Sequence, residues 1–389
     1  MTQAQTQLLA DIRQLAPHIA ARAAEFEAGR RIPPDLIDTL RSLGMFRMFA
    51  PRSRDGLEMA LPEALDVIAA IARIDGSFGW TAMIGSGSAI FAPLVARETY
   101  ERVYRDGPDV ILAGSIQPSG TAEATAGGWR ISGRWPFASG CEHADWIAAF
   151  CVMTEDGRPL PGPAGAEGPP LIRGFALPRG DWRIEDTWHA GGLKGTGSHH
   201  VALRDVVLPE ANFIDLMTGV PCETGPLYGG VLQTLPLFHC AFHVGMAEGA
   251  LDEIVALAST GRQQFRAASP MRDSEIFQYE LGRIAADVRA ARAAMEVQAA
   301  SNWRHALAGT LKDDARYVES TQTAVWIAAT CVRIVDACFA LGGSGALYET
   351  SPLQRRLRDI HTAAQHAAVQ QRQYGHAGKL ALGVGAAGH

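Results

Sequence analysis

Residues 342–366 read GGSGALYETSPLQRRLRDIHTAAQH, a turn of small residues followed by a segment with a helical apolar period. On one continuous helix Asp359, Thr362 and His366 share a face, whereas His361 and His366 point roughly 140° apart. The two histidines therefore cannot bind one metal ion as an HxxxH pair does, and we predict no metal site. Because residues 360–389 contain no Asp or Glu, His366 is the candidate acid-base group of this segment. The alternative is a buried core histidine without a chemical role.

Four long segments with a helical apolar period make up the last part of the chain, at residues 235–259, 274–308, 315–341 and 352–372. Long amphipathic helices that follow one another through short connections pack as an up-down bundle. We therefore predict a C-terminal four-helix bundle over residues 221–389.

Before this bundle, the spacing of apolar residues along the sequence changes twice. Residues 108–220 carry short alternating or apolar runs between Pro and Gly clusters, which predict a β domain with strands near 109–117, 129–132, 145–153, 171–177 and 182–188. Residues 1–107 read as a helical domain that is interrupted at Asp75-Gly76-Ser77, where we expect Asp75 and Ser77 to cap the next helix. The predicted fold class is α+β, mainly α, in the order helices, sheet, helices.

Composition excludes several classes of function. A formal net charge of -6 with dispersed basic residues argues against nucleic acid as a partner. The six cysteines form no CxxC motif, which is typical of free thiols in a reducing cytoplasm. The N-terminus lacks the order of a signal peptide, and no uninterrupted apolar run reaches the roughly 18 residues that span a bilayer. We expect a soluble cytoplasmic protein that does not enter a membrane.

Two loops in the β domain could bind a flat cofactor. Residues 133–140 read GRWPFASG, and Phe137 and Ser139, two apart in extended chain, lie on one side. Such a pair can stack on a ring and hydrogen-bond its edge, although a turn serine without this role has equal weight. Residues 192–200 read GLKGTGSHH and offer small residues and hydroxyls without the spacing of a P-loop or a GxGxxG fingerprint.

Taken together, the motifs resemble a known family. The chain looks like the acyl-CoA dehydrogenase fold and, within it, the two-component, reduced-flavin-dependent aromatic monooxygenases. These include the p-hydroxyphenylacetate hydroxylase oxygenase component, steroid-ring phenol hydroxylases and indole or indole-acetate oxygenases. The resemblance rests on segments in family order at 75–80, 118–120, 135–146, 192–198, 245–250, 262–265, 342–344 and 358–359.

The resemblance implies a central β-barrel, a tetramer built on the bundle, and flavin between barrel and bundle. It places Phe137 on the isoalloxazine ring, Ser139 at flavin N5, and Arg262 at the phosphate end, often of a neighbouring subunit. Taken alone, Arg262 reads as a solvated surface arginine. The full expected set is His366 and Ser139 as catalytic residues; Phe137, Ser139, Gly120, Thr196, Ser198, Arg262, Gly342, Gly343 and Ser344 at the flavin; and Trp80, His143 and Thr362 at the substrate.

The expected reaction follows from the same resemblance. Reduced FAD or FMN from a separate flavin reductase reacts with O2 at C4a, and the resulting C4a-hydroperoxyflavin hydroxylates a small aromatic substrate. Ser139 is expected to protect N5, and His366 to act on the peroxide or as a base toward the substrate. The chain shows no βαβ fingerprint for NAD(P)H, in agreement with a partner that supplies the electrons.

Three alternatives remain open at the level of the sequence. An acyl-CoA dehydrogenase needs a carboxylate base, which Glu248 or Glu253 could supply. The chain could also be a nitrogen- or sulfur-oxidising enzyme of the same fold, or a flavin-binding or helical scaffold without catalysis. Residues 83–88 read MIGSGS and lack the histidine that phenol hydroxylases of this group tend to carry there, so indole and phenol substrates both fit.

Overall fold

The structure is a computed structural model that describes residues 2–384. Five helices precede the strands in this part of the chain: α1 Gln3–Gly29, α2 Pro34–Ser42, α3 Leu61–Ile74, α4 Gly76–Gly87 and α5 Arg97–Val103. Five follow them: α6 Val231–Ser259, α7 Glu275–Leu307, α8 Asp314–Gly342, α9 Pro352–Ala363 and α10 Tyr374–Ala381. This order confirms the predicted α+β, mainly α architecture.

The strands between the two helical regions form one main sheet and a small hairpin. They are β1 Leu112–Thr125, β2 Gly128–Trp135, β3 Trp146–Glu155, β4 Arg158–Pro159, β5 Pro161–Gly162, β6 Gly165–Pro170, β7 Ile172–Pro178, β8 Arg183–Glu185, β9 His200–Leu208 and β10 Phe213–Ile214. The main sheet has the order β10-β7-β3-β1-β2-β9-β8, with β4 paired to β3. Strands β1 and β3 run parallel, and their other neighbours are antiparallel.

Trp135 is the packing centre of the sheet. Its side chain is fully buried, and its Nε1 donates to the Phe150 carbonyl at 2.7 Å. The ring crosses Gly120 of β1, where a Cβ would lie only 2.2 Å from it. Glycine is therefore required at this point by close packing.

Helix α6 is the central helix of the C-terminal bundle. It carries apolar side chains on every face, as expected for a helix buried by its neighbours. It packs against α3, α7 and α8. Its contact with α3 joins the two helical regions directly. The sheet lies against the side where α4 and the loop before β9 meet.

Helix α8 has an unusual composition. In the described residues it forms, with the turn after it, the one segment long and apolar enough to cross a membrane, Asp314–Ala346. Half of its most apolar stretch is buried inside the molecule. The charged residues Arg333 and Asp336 interrupt the apolar sequence of this segment, so it contains no uninterrupted apolar run of membrane-spanning length.

Three sequence-based predictions of helices and strands were wrong. The last bundle helix was expected to reach residue 372, but α9 ends at Ala363 and short 3-10 turns follow. The backbone of His366 is extended, and its Nδ1 accepts the N–H of Ala368 at 3.2 Å, which replaces a helical hydrogen bond. Strand β9 was missed, and the strand expected near residues 109–117 continues as β1 to Thr125, with a register shift between Ser115 and Gly120. The predicted domain limits fall between α5 and β1 and between β10 and α6; the division into domains stays a prediction.

Candidate active site

A chain of hydrogen-bonded hydroxyls joins α4 to the loop before β9. The indole Nε1 of Trp80 donates to Ser139 Oγ at 3.0 Å. Ser139 Oγ lies 2.7 Å from Ser198 Oγ, which lies 2.6 Å from Thr196 Oγ1. Thr196 Oγ1 donates to the Leu193 carbonyl at 2.8 Å. Three hydroxyls predicted from separate motifs thus form one buried network, which we call the hydroxyl chain (Trp80, Ser139, Ser198, Thr196, Leu193).

Phe137, two residues before Ser139, has an unusual exposure and backbone conformation. Its side chain is 61% exposed, and its φ of 63° lies in the left-handed region that a bulky residue rarely adopts. Trp188 and His200 meet its ring edge-on, at 6.4 and 6.5 Å between centroids. An exposed aromatic face two residues from Ser139 fits a flat ring such as isoalloxazine.

An aromatic and imidazole cluster packs against Trp80. The ring of His239 stacks on His366 with centroids 4.1 Å apart and planes at 28°. Trp80 is 5.4 Å from His239, 5.8 Å from His366 and 5.0 Å from Phe242. We call these four residues the imidazole cluster (Trp80, His239, Phe242, His366). Trp80 thus contacts both Ser139 and His366.

The histidines here are uncharged at neutral pH. Burial lowers the pKa of His366 to about 4 and that of His243, one turn after His239, also to about 4. Burial, with the neighbouring histidines second, lowers the pKa of His239 well below its usual range. His239 Nδ1 and His243 Nε2 are buried without a hydrogen-bond partner. The cluster therefore offers neutral imidazoles to a ligand.

The expected shared face of Asp359, Thr362 and His366 was wrong. Because α9 ends before His366, that histidine turns toward α6, whereas Asp359 accepts the Leu193 N–H at 2.6 Å. The Thr362 hydroxyl donates to the Arg358 carbonyl of its own helix at 2.9 Å and packs against Gly192, which leaves no support for a substrate role.

Asp359 is a buried carboxyl with one free oxygen. Its side chain is 1% exposed, and Oδ2 has no hydrogen-bond partner and faces Gly76, where a Cβ would lie 2.6 Å away. Burial, with the nearby Asp75 carboxylate second, raises the pKa of Asp359 to about 7. Asp75 itself caps α4 through the Phe78 N–H at 3.0 Å, as predicted, whereas Ser77 instead accepts the Gly195 N–H at 3.1 Å.

Two arginines on the same turn of α9 bond to other elements. Arg355 Nε lies 3.4 Å from Asp75 Oδ2, at the start of α4. Arg358 Nη1 lies 2.7 Å from Glu27 of α1 and donates to the Gly191 carbonyl at 3.0 Å. One turn of a single helix therefore fastens α1, α4 and the loop before β9 to the bundle.

The carboxylates that a dehydrogenase would use are engaged elsewhere. Glu248 forms a bidentate pair with Arg292, at 2.5 and 2.9 Å. Glu253 lies 3.6 Å from the buried Arg356. In the described residues 2–384, both candidate dehydrogenase bases are therefore paired with arginines.

The residues predicted for the phosphate end of the flavin form a second group. The guanidinium of Arg262 lies against Gly345, where a Cβ would be 2.3 Å from Nη1. Its Nε is buried without a partner. Gln264 packs against Gly343 and donates to the Leu341 carbonyl at 3.0 Å. The structure thus brings Arg262 next to residues 342–345 of the same chain. The assignment of both to the phosphate end of the flavin stays a prediction of the resemblance.

Two other predicted residues lie apart from the imidazole cluster. The His143 imidazole lies beside the Ile32 backbone and Arg31; burial and that arginine lower its pKa to about 4. Its expected contact with substrate is therefore not supported. Gly120 packs under Trp135 and has a structural reason to be glycine. Among residues 2–384, no group of three or more His, Cys, Asp or Glu side chains is arranged to hold a metal ion.

Sequence reasoning missed Phe242 of the imidazole cluster and two histidines beside it, His239 and His243. The two histidines lie one turn apart in α6, whose neighbouring residues are almost all apolar, so the segment reads as core. The available signal was the pair itself, since two histidines at positions i and i+4 share one helix face.

Comparisons with known proteins match both helical regions of the chain to one family. Residues 2–101 match the acyl-CoA dehydrogenase N-terminal domain, and residues 237–371 match the acyl-CoA dehydrogenase C-terminal domain. The chain is 32% identical over 368 residues to the indole-3-acetate monooxygenase of Pseudomonas putida, covering 93% of this chain and 90% of that protein.

Two further relatives cover nearly the whole chain. The oxygenase component of an FADH2-dependent resorcinol hydroxylase from a Rhizobium species is 28% identical over 387 residues, covering 94% of this chain and 91% of that protein. The crystal structure of 3-HSA hydroxylase from a Rhodococcus species superposes with a TM-score of 0.90 at 28% identity and 98% coverage of both chains.

Proposed function

This chain belongs to the flavin-dependent aromatic monooxygenases with the acyl-CoA dehydrogenase fold, and from that premise we propose that it takes reduced FAD from a separate reductase and hydroxylates a small uncharged aromatic ring. The imidazole cluster beside Ser139 carries this proposal. It combines aromatic walls with neutral imidazoles, and within residues 2–384 no carboxylate is among the charged groups that act on His239 or His366. An uncharged ring with one polar edge is the ligand that such walls favour.

The residues at Phe137 and Ser139 fit a flavin. Phe137 presents an exposed ring, and Ser139 keeps an unused lone pair beside it. Bound reduced flavin supplies the chemistry that activates O2 and delivers one oxygen atom. The name of the FADH2-dependent resorcinol hydroxylase relative supports FAD over FMN, and the name "oxygenase component" supports a partner reductase. Arg262 and residues 342–345 would hold the phosphate end.

His366 is proposed to act as a neutral hydrogen-bond donor. Its Nδ1 already accepts the Ala368 N–H, so the proton of the neutral ring sits on Nε2. A pKa of about 4 makes the ring a weak base at pH 7. The role of base toward the substrate is therefore replaced by donation to the reacting oxygen, and the buried, unpartnered Nδ1 of His239 is available to orient the substrate.

Assembly and compartment are part of the same proposal. We propose a homotetramer, supported by apolar side chains that α7 leaves in solvent, Ile276, Tyr279 and Val297, each at least 70% exposed. We also propose a cytoplasmic location, supported by six cysteines that are all free thiols.

A single-turnover experiment tests the function. The protein is loaded anaerobically with photoreduced FAD, mixed with O2 and an aromatic compound, and the products are identified by mass spectrometry. Indole-3-acetate, resorcinol and indole are the compounds to begin with, and we expect one of them to gain one oxygen atom. Oxidation of a saturated acyl-CoA, without oxygenation of any aromatic compound, would overturn the proposal.

A further inference from the structure

The loop before β9, residues 191–198, is held closed by side chains that lie outside it. Leu193 is 3% exposed and has a φ of 49°, a left-handed conformation that needs support from its surroundings. Its N–H donates to Asp359 Oδ1 at 2.6 Å, and the Gly195 N–H donates to Ser77 Oγ at 3.1 Å. The 191–198 loop is thus tied to α9 by Asp359 and to α4 by Ser77.

The Asp359 carboxyl is poorly placed to carry a charge. Its side chain is 1% exposed, and within residues 2–384 its Oδ2 has no hydrogen-bond partner. That oxygen lies against Gly76, where a Cβ would be only 2.6 Å away. A buried carboxylate is stable only when its oxygens are hydrogen-bonded or paired. The single bond from Leu193 leaves one oxygen unsatisfied, so burial favours the neutral acid.

The charged groups around Asp359 come from three elements. The start of α4 supplies the Asp75 carboxylate, and Arg355 of α9 lies 3.4 Å from that aspartate. Helix α1 supplies Glu27, which is paired with Arg358 of α9 at 2.7 Å. Burial, with the Asp75 charge second, raises the pKa of Asp359 to about 7, in spite of the backbone N–H that it accepts and the charge of Arg358.

Opening of the 191–198 loop would change this environment. Breaking the bond from Leu193 admits water to Asp359, and a hydrated aspartic acid has a pKa near 3.9. The closed loop therefore binds the proton more tightly than the open loop. Stability of the closed loop is complete below about pH 4, falls as the pH rises toward 7, and is level above that value, where both states are ionised.

We propose that Asp359 is a positioning residue whose neutral carboxyl closes the 191–198 loop and whose ionisation loosens it. The loop carries Thr196 and Ser198, which the hydroxyl chain links to Ser139. Its closure therefore positions Ser139 for the reaction, a consequence that rests on the proposed function. A loosened loop admits water to the site, so we expect more of the consumed O2 to leave as hydrogen peroxide.

Hydrogen exchange measured by mass spectrometry tests the inference on the protein without flavin. Protection factors of peptides covering residues 191–198 are compared at about pH 5, 6, 7 and 8, after correction for the intrinsic exchange rate. Wild-type protection is expected to fall by up to about tenfold per pH unit between pH 5 and 7 and then to level off. Asp359→Asn still accepts the Leu193 N–H but does not titrate, so its protection should not change with pH.

Two further variants complete the comparison. Asp313→Asn is the matched control, because Asp313 is an exposed carboxylate that accepts the Arg316 N–H at 3.2 Å at the start of α8, where asparagine caps equally well. It should follow the wild-type profile. Asp75→Asn can still accept the Phe78 N–H that caps α4 and removes the negative charge beside Asp359, so the fall in protection should move to lower pH.

The outcomes separate this inference from the proposed function. Wild-type protection that does not change with pH, an equal fall in Asp359→Asn, or an unmoved fall in Asp75→Asn overturns the inference while the monooxygenase function stands. In the oxygenation assay, the ratio of product to hydrogen peroxide should fall between about pH 5.5 and 7 in wild type and stay constant in Asp359→Asn. An equal change in both proteins overturns the positioning role. If no aromatic compound is oxygenated, the proposed function itself fails and the exchange result is unaffected.

Discussion

His366 shows how burial sets the chemistry available to one side chain. Burial keeps its imidazole neutral, and Ala368 occupies its Nδ1, so only Nε2–H remains for a ligand. It was predicted from an acid-free stretch of sequence, yet the face on which it was expected does not exist. Its ring partners His239 and Trp80 lie more than a hundred residues earlier in the chain, and no local pattern reports that proximity.

His366→Ala should separate oxygenation from flavin binding. Because one positioned hydrogen-bonding group is removed, we expect product formation to fall about 10² to 10⁴-fold while O2 is still consumed and released as hydrogen peroxide. The ratio of product to peroxide, measured beside the melting temperature, checks this. The control is His361→Ala, an exposed histidine paired with Asp336 at 2.7 Å, which should keep the wild-type ratio. A lower melting temperature with an unchanged ratio would make His366 a packing residue.

His243 should make stability fall on acidification. Its folded pKa of about 4 lies below the unfolded value near 6.5, so the unfolded state binds the proton first as the pH drops. Its contribution is complete above about pH 6.5 and decreases toward pH 4, by at most about 1.4 kcal/mol per pH unit. His243→Asn can still donate to the His239 carbonyl, which accepts at 2.8 Å in the wild type, but does not titrate.

Denaturant unfolding at pH 7 and pH 5, at one protein concentration, measures that effect. We expect the variant to lose less stability between the two pH values than wild type loses. Equal losses in both proteins would show that His243 does not contribute to the acid sensitivity.

At the level of helices and strands, the period of apolar residues predicted the elements that bury one face. It did not predict strand β9, whose burial is irregular. The limits of α7 and α8 followed closely from their apolar period. Strand β9 was missed because its buried and exposed residues do not alternate regularly. After α9 the chain continues in a 3-10 turn whose Ala368 N–H donates to the His366 side chain, and residues 118–120 join β1 through a register shift. The apolar period of the sequence reports neither feature.

Gly120→Ala should destabilise the sheet. The added Cβ would lie 2.2 Å from Trp135, whose ring is fixed by its bond to Phe150, so we expect a loss of about 1–3 kcal/mol. Thermal unfolding monitored by circular dichroism checks the loss. Gly378→Ala serves as the comparison, since Gly378 is exposed in α10 and a Cβ there meets nothing within 4 Å. Equal melting temperatures for the two variants would contradict the packing role of Gly120.

For the whole molecule, α7 supplies the surface on which assembly is proposed. Tyr279 and Val297 are about five helical turns apart and share a face, and both are at least 70% exposed. An aspartate at Val297 would place a charge in an apolar contact, which is costly unless it is paired. We therefore expect Val297→Asp to shift the protein from tetramer to smaller species in multi-angle light scattering.

The control for assembly lies outside the bundle. Val220 is 85% exposed in the segment before α6, and Val220→Asp should leave the molar mass unchanged. A wild-type monomer that binds reduced FAD with full affinity would show that the site is complete within one chain and that the tetramer proposal is wrong.

The turn of α9 that carries Arg355, Arg358 and Asp359 also bears on how the protein is made. Translation delivers α1 to α8 and the whole sheet first, and folding can begin on those segments during synthesis. The loop at residues 191–193 receives its anchors only when residues 355–359 emerge. A nascent chain stalled before α9 would therefore lack the bonds that Arg358 and Asp359 make to this loop.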